Sequence, residues 1–207
     1  ITPNTQGAFQ ATTNRIVGNA YDSTGNQTAA GGGIFAYDAE NRQKSVTVTG
    51  FSGTHTYEYD GEGRRVKRVV HGNTRVYVHN AQGQMVAEYN NGQLWKEFVY
   101  AGGKLLAIED RNPITSSYIN TDHLGSTRLV TNPSGDVESR HDYLPFGKEI
   151  PASLGGRSSV AGYTAAENIL QRFTGKEVDP ETGLQYFGAR YFSGRQGLFY
   201  GAVHVKA

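Results

Sequence analysis

Short apolar or β-branched runs alternate with turn-forming clusters along most of this chain. SVTVT (Ser45–Thr49), HTYEY (His55–Tyr59), TRVYV (Thr74–Val78), WKEFVY (Trp95–Tyr100) and TRLVT (Thr127–Thr131) have the alternating or β-branched character of strands with two unlike faces. Turn signals separate them at Asp22–Gly25, Gly31–Gly33, Asp38–Asn41, Gly50–Gly53, Asp60–Gly63, His71–Asn73, Asn80–Gly83, Asn90–Gly92, Ala101–Gly103, Asp110–Pro113, Asp122–Gly125 and Asn132–Gly135. Successive signals lie roughly ten residues apart, the spacing of short strands in an all-β protein. The pattern predicts an all-β fold, a long antiparallel meander with one hairpin about every 20 residues.

One string recurs in this beat. YDGEGRR (Tyr59–Arg65) reads as a turn: Asp60 accepts from amides just downstream and Gly63 supplies a positive φ. Related strings begin at Tyr21 (Asp22, Gly25), Tyr37 (Asp38, Asn41), His79 (Asn80, Gly83) and Thr121 (Asp122, His123, Gly125). In the second, Asn41 replaces glycine, and Asn best tolerates that region after Gly. Asp142 is expected to continue the aspartate series, with Gly102 filling the slot near residue 101.

The beat breaks after Tyr143. Pro145 and Gly147 in DYLPFG stop a ladder, and residues 150–163 lack an apolar period. TAAENILQ (164–171) is expected to form one short helix, because Thr164 and Glu167 have capping-box spacing. RFTGKEVDPETGLQYFGARYF (172–192) is dense in aromatics, Gly and Arg and should close off the array. The tail has a short alternating piece at 202–205, and residues 1–13 read as a lead-in or one edge strand. The chain opens on Ile1, without a charged-then-apolar leader, and its first unit lacks a preceding strand, as expected for a piece of something longer or a processed product.

Composition supports thin architecture. Apolar residues are 37% of 207, against 27 Gly and 13 Tyr, so many tight turns replace a thick core. Twenty basic and 19 acidic residues are interspersed, giving no footprint for nucleic acid or an anionic membrane. No apolar stretch is long enough to span a bilayer as a helix. The absence of cysteine removes disulfides, thiolate catalysis and Cys-ligated zinc.

Candidate chemistry is sparse. His123 and His141 each neighbour an aspartate, Asp122 and Asp142, so a metal site on adjacent hairpins is conceivable; both lie in turn slots that already need Asp, and no metal is expected. No phosphate loop, nucleophile elbow or HExxH helix appears, and no cofactor is expected. Asp179-Pro180 resembles a self-cleaving bond, but Asp then Pro is what a type I turn prefers, with Gly183 as its positive-φ residue. The tyrosines suggest glycan stacking, yet rings on a pleated face also pack against cross-strand neighbours.

The YD units resemble the YD repeats of the RHS family. The blocks DHLGS (Asp122, His123, Gly125), DYLPFG (Pro145, Phe146, Gly147), RFTGKE (Gly175), ETGL (Gly183) and YFGARYF (Tyr186, Gly188, Arg190, Tyr191) resemble its repeat-associated core domain, in the same order. The resemblance covers roughly residues 14–193 and divides the chain into repeats (1–121), core (122–193) and a divergent tail (194–207). It implies a spiralling β-shell in large secreted or surface-exposed polymorphic toxins, enclosing a toxin domain, with the core plugging one end. In many members the core also cleaves itself through an aspartate at a DPxGLxGG-like sequence. Here residues 193–207 read SGRQGLFYGAVHVKA, so the architecture carries over and the protease does not. The expected partners are the rest of an RHS chain with its toxin cargo, or copies of itself through an exposed strand edge, with a glycan as the alternative.

Overall fold

The computed structural model describes residues 9–163 and 169–202. Thirteen strands form one antiparallel sheet in strict sequence order: β1 (Ala20–Tyr21), β2 (Gln27–Ala30), β3 (Gly33–Tyr37), β4 (Gln43–Val48), β5 (Thr54–Tyr59), β6 (Arg65–Val70), β7 (Asn73–His79), β8 (Met85–Asn90), β9 (Gln93–Ala101), β10 (Lys104–Arg111), β11 (Ile114–Thr121), β12 (Thr127–Thr131) and β13 (Val137–Arg140). A second antiparallel sheet holds β14 (Glu177–Asp179), β15 (Leu184–Tyr186), β16 (Tyr191–Ser193) and β17 (Leu198–Phe199). The only helical element among the described residues is a 3-10 turn at Phe173–Gly175. Most of the expected helix, 164–168, lies outside the described residues; Gln171, at its end, makes a bridge to Glu177 instead. Of the alternating tail piece, only Ala202 is described.

The YD turn has one repeated geometry. In YDGEGR the Asp60 amide donates to the Arg64 carbonyl and the Gly63 amide donates back to the Asp60 carbonyl. Asp60 Oδ1 accepts from the amides of Glu62 (3.0 Å) and Arg64 (2.9 Å), and Gly63 takes φ +81°. The same side-chain pattern recurs at Asp22, Asp38, Asn80, Asp122 and Asn132. Asn41 takes φ +61° in the glycine slot, which Asn tolerates because its short polar side chain bonds locally.

Two placements differ from expectation. Leu144, not Asp142, occupies the aspartate slot in DYLPFGK, with its amide on the Lys148 carbonyl and the Gly147 amide on its own carbonyl. Asp142 instead binds Arg157, Tyr163 and Arg128. Near residue 101 the chain turns through Gly102 and Gly103, both at positive φ, with no Asx residue in the slot.

Each of these Asx turns leads into a β-bulge. Tyr59 pairs with Arg65 but Glu58 pairs with Lys67, leaving Val66 as the extra residue. Thr28, Lys44, Val86 and Arg128 are extra in the same way. An extra residue reverses the in–out alternation, so two inward residues fall three apart on five of the return strands; β13, after the Asn132 turn, buries only Ser139. The five pairs are Gln27 with Ala30, Gln43 with Val46, Arg65 with Arg68, Met85 with Glu88, and Thr127 with Val130; all are buried except Met85, which is half-buried.

The carbonyl of the first inward residue accepts from the tyrosine of the following repeat in three of the repeats. Tyr37 reaches Gln27 O (2.9 Å), Tyr59 reaches Gln43 O (2.6 Å) and Tyr143 reaches Thr127 O (2.9 Å). Burial, the largest influence, raises the pKa of all three hydroxyls, which therefore serve as donors.

The small sheet packs against the inward face and joins its distant parts. The Gln27 amide donates to Tyr200 O (2.8 Å) and the Thr127 amide donates to Arg172 O (3.1 Å). One apolar cluster joins Phe35, Val46 and Tyr57 to Leu184, Tyr191 and Tyr200; a second joins Phe98, Ile108, Ile119 and Val130 to Ile169. The large sheet is thus open and curved, with the small sheet as a plug in its concave side. At the far edge, the Arg140 amide of β13 is taken up by Gly162 O.

Candidate functional site

The most concentrated chemistry lies in a seam between β5–β8 and the β14–β15 hairpin. The bulge at Val66 turns both Arg65 and Arg68 inward, and they are 1% and 3% exposed. From the plug, Glu177, Asp179 and Glu181 face them and are also buried. Guanidiniums buried in this way need carboxylates with good hydrogen-bond geometry, because desolvation of an unpaired charge costs several kcal/mol, on the order of 3–5.

The geometry supplies those partners. Arg65 Nη1 donates to Asp179 Oδ1 (2.9 Å) and Oδ2 (3.0 Å) and lies 2.6 Å from Tyr191 Oη. Its Nη2 stands 2.8 Å from Glu177 Oε1. Arg68 Nη2 donates to Glu181 Oε2 (2.6 Å), and its Nη1 lies 3.3 Å from Glu177 Oε1 and 3.2 Å from Asp179 Oδ1. Tyr57 and Tyr77 add hydroxyl donors to Glu181 and Glu177. The Arg65 guanidinium also lies over the rings of Tyr186 (4.6 Å) and Tyr77 (5.1 Å), a cation–π arrangement strengthened by desolvation.

The electrostatics keep Asp179 ionised. Burial pushes the Asp179 carboxyl up, but Arg65 and Arg68 outweigh it and hold the pKa below the ordinary aspartate value. Glu88, at the margin, goes the other way: burial, then the charge of Glu177, raises it to about 7. Its Oε1 accepts from Arg75 at 3.2 Å. A buried aspartate held as the anion and saturated by guanidinium is suited to holding two surfaces together. It has no proton to give at neutral pH.

The blocks of 122–193 pack against one another. A Cβ on Gly175 would sit 3.4 Å from Gly125 O, and the Thr174 amide donates to Ser126 Oγ at 3.0 Å. Gly147, at φ +76°, lies directly against the Phe173 ring, and Gly147 O accepts from Gln185 Nε2 (2.8 Å). Phe146 is exposed and covers Gly197, while Pro145 sits in the same turn. Gly183 (φ +67°) closes the 179–184 turn, where the Asp179 carbonyl accepts from the amides of Thr182 and Gly183. Gly188 (φ +81°) lies in the next turn, and Arg190 stacks over Phe199 at 4.0 Å. Tyr21, Asp22 and Gly25 lie at the other end of the large sheet, and His123 in the 122–125 turn. His141 bonds with Ser139 and Glu149, and no group of three metal-ligating side chains converges among the described residues.

Sequence reasoning missed Arg65, Arg68, Glu177 and Glu181, and read Asp179 only as a turn former. The available signal was the fixed position five residues after each turn aspartate, which carries Gln27, Gln43, Arg65 and Thr127, all polar and all at most 2% exposed.

The Teneurin YD-shell profile matches residues 20–200. The chain belongs to the teneurin YD-shell family. A tRNA3(Ser)-specific nuclease WapA of Bacillus spizizenii is 27% identical over 184 residues, spanning 87% of this chain and 8% of that protein. Salivary gland surface protein 1 of Aedes aegypti is 31% identical over 177 residues, spanning 77% of this chain and 5% of that protein. This YD-shell chain therefore spans less than a tenth of the length of these relatives. The crystal structure of TcdB2-TccC3-TEV superposes with a TM-score of 0.62 at 21% identity, over 87% of this chain and 9% of that one. The Photorhabdus luminescens Tc holotoxin pore gives 0.56 at 20% identity, over 87% of this chain and 9% of that one. Both likenesses concern the fold. The all-β antiparallel architecture and the RHS-type YD-shell assignment agree with the sequence reading, and the chain is a structural shell module.

Proposed function

We propose that this module is a non-catalytic wall and plug of a longer RHS chain, enclosing or displaying a toxin or effector. The observation that carries the reading is the seam: the most buried charged groups are spent on tying the plug to the curved sheet. The nuclease relatives are compatible with it, since the matched region is a small part of each. In this reading, residues 1–121 are repeats, 122–193 the core and 194–207 a divergent tail, in a protein secreted or carried at the cell surface. No helix among the described residues is long and apolar enough to cross a membrane. The first strand, β1, is two residues long and ends the large sheet, so pairing there with more RHS chain or a second copy is expected. Sedimentation at high concentration tests self-association; a strict monomer contradicts it.

Two alternatives make different demands. Glycan stacking needs exposed rings, and the hydroxyls of Tyr37, Tyr59 and Tyr143 are engaged by the wall itself; among described tyrosines, Tyr118 is the exposed one. Self-cleavage needs an aspartate acting on a peptide bond, whereas Asp179 is saturated by arginine. Limited trypsinolysis of the full-length parent tests enclosure: the segment beyond the shell should resist in the wild type and be cut in Asp179→Ala. Equal cutting of both would overturn it. Intact masses of wild type and Asp179→Asn should match apart from the substitution; truncation of the wild type alone would establish chemistry at this residue.

A further inference from the structure

Beyond the seam, the first strands of the large sheet, the 143–149 turn and the plug enclose a cavity of about 620 Å³. That is the size of a ligand pocket, about 300–1,000 Å³. Phe35, Val48, Leu184 and Tyr200 form apolar walls. Gln185, 4% exposed, also lines it; Nε2 donates to Gly147 O, while Oε1 is buried and accepts from no described residue. Gln196, also in the lining, has a second buried amide oxygen without a donor among the described residues. A buried acceptor left in this state costs about 1–3 kcal/mol, so a donor from a ligand would be strongly favoured.

Charge narrows the ligand further. Glu149 is the one carboxylate in the lining and is already held by His141 (2.6 Å) and Arg172 (3.8 Å). Burial raises its pKa, but these partners bring it below the ordinary glutamate value. Lys148 and Arg195 also line the cavity and make no ion pair with any described residue. We infer that this cavity binds an extended acidic peptide segment carrying a large apolar side chain. Its backbone N–H groups satisfy Gln185 and Gln196, its carboxylate meets Lys148 and Arg195, and its apolar side chain packs against the apolar walls of the cavity. A neutral sugar offers donors but nothing for the two cations, and a basic segment would be repelled by them. The inference does not depend on the shell reading: the cavity shares the β14–β15 hairpin with the seam, but its lining includes none of the seam's charged residues.

Fluorescence anisotropy on the intact protein tests it, with labelled short peptides alternating Glu with Phe or Leu against the same peptides with Lys for Glu. The acidic series should bind and the basic series should not. Arg195 is exposed, so Arg195→Glu should keep the wild-type melting temperature while weakening acidic-peptide binding roughly tenfold or more. Gln185→Leu should weaken both acidic peptides similarly. Equal binding of the two series, no binding of either, an unaffected Arg195→Glu, or preference for a single-stranded oligonucleotide or anionic vesicles would each overturn the proposal.

Discussion

Asp60 and Asp179 are the same residue in two different kinds of structure. Asp60 sits on the rim, partly exposed, and its side-chain partners lie within four residues. Asp179 sits in the seam with 0% exposure, and its chief partner is 114 residues away. The rim sets where the chain bends and needs little beyond its own hexapeptide. The seam sets where the finished wall is held, and exists only once the sheet has curved around its plug. Shape is therefore written locally and repeatedly, and closure is written once, at long range.

The comparison breaks most visibly at Arg65. Arg65→Ala strips Asp179 of its bidentate partner, leaving only the 3.2 Å contact with Arg68 among the described residues, and should cost about 3–5 kcal/mol, read as a loss of denaturation midpoint. Replacing the pair together, as Arg65→Met with Asp179→Leu, should recover part of that loss. On the rim, Gly63→Val forces a β-branched residue to φ +81° and should cost on the order of 1–3 kcal/mol. An unchanged melting temperature would refute the turn. Tyr59→Phe removes the 2.6 Å bond to Gln43 O and should cost about 1–3 kcal/mol if that carbonyl is left dry, toward the lower end if water reaches it.

Much of the rim was legible because its causes are close together in sequence. Asp60, Gly63 and the Asn41 substitution announce a turn, and a ten-residue beat announces a meander. Asp142 misled because DYLPFG carries its aspartate two positions early, leaving Leu144 in the slot. The bulge could not be read, because the extra residues Thr28, Lys44, Val66, Val86 and Arg128 share no chemistry. Without it, RVKRVV looks like a strand with its arginines in solvent. Asp179 did end in a turn, as its sequence suggests, but the backbone makes that turn and the side chain points into the seam.

Acidity separates the two regions more gently. Asp60 is held below its ordinary 3.8, so its contribution is present above that value and is lost as pH falls further. Glu88 is raised to about 7 from an ordinary 4.5. The folded state keeps that proton where the unfolded chain releases it, so this contribution is complete below 4.5 and is lost as pH rises through 7. Glu88→Gln should flatten the decline in stability between those limits and leave the acid limb unchanged, as measured by urea midpoints across pH.

Amide hydrogen exchange of wild type and Asp179→Ala tests the separation of rim and seam most directly. The amides of Gln27 and Thr127 donate to the plug, at Tyr200 O and Arg172 O, whereas the Arg64 amide donates to Asp60 within its own turn. The account predicts that Gln27 and Thr127 lose protection together in the variant while Arg64 keeps its own. Loss of all three at once, or of none, would contradict it.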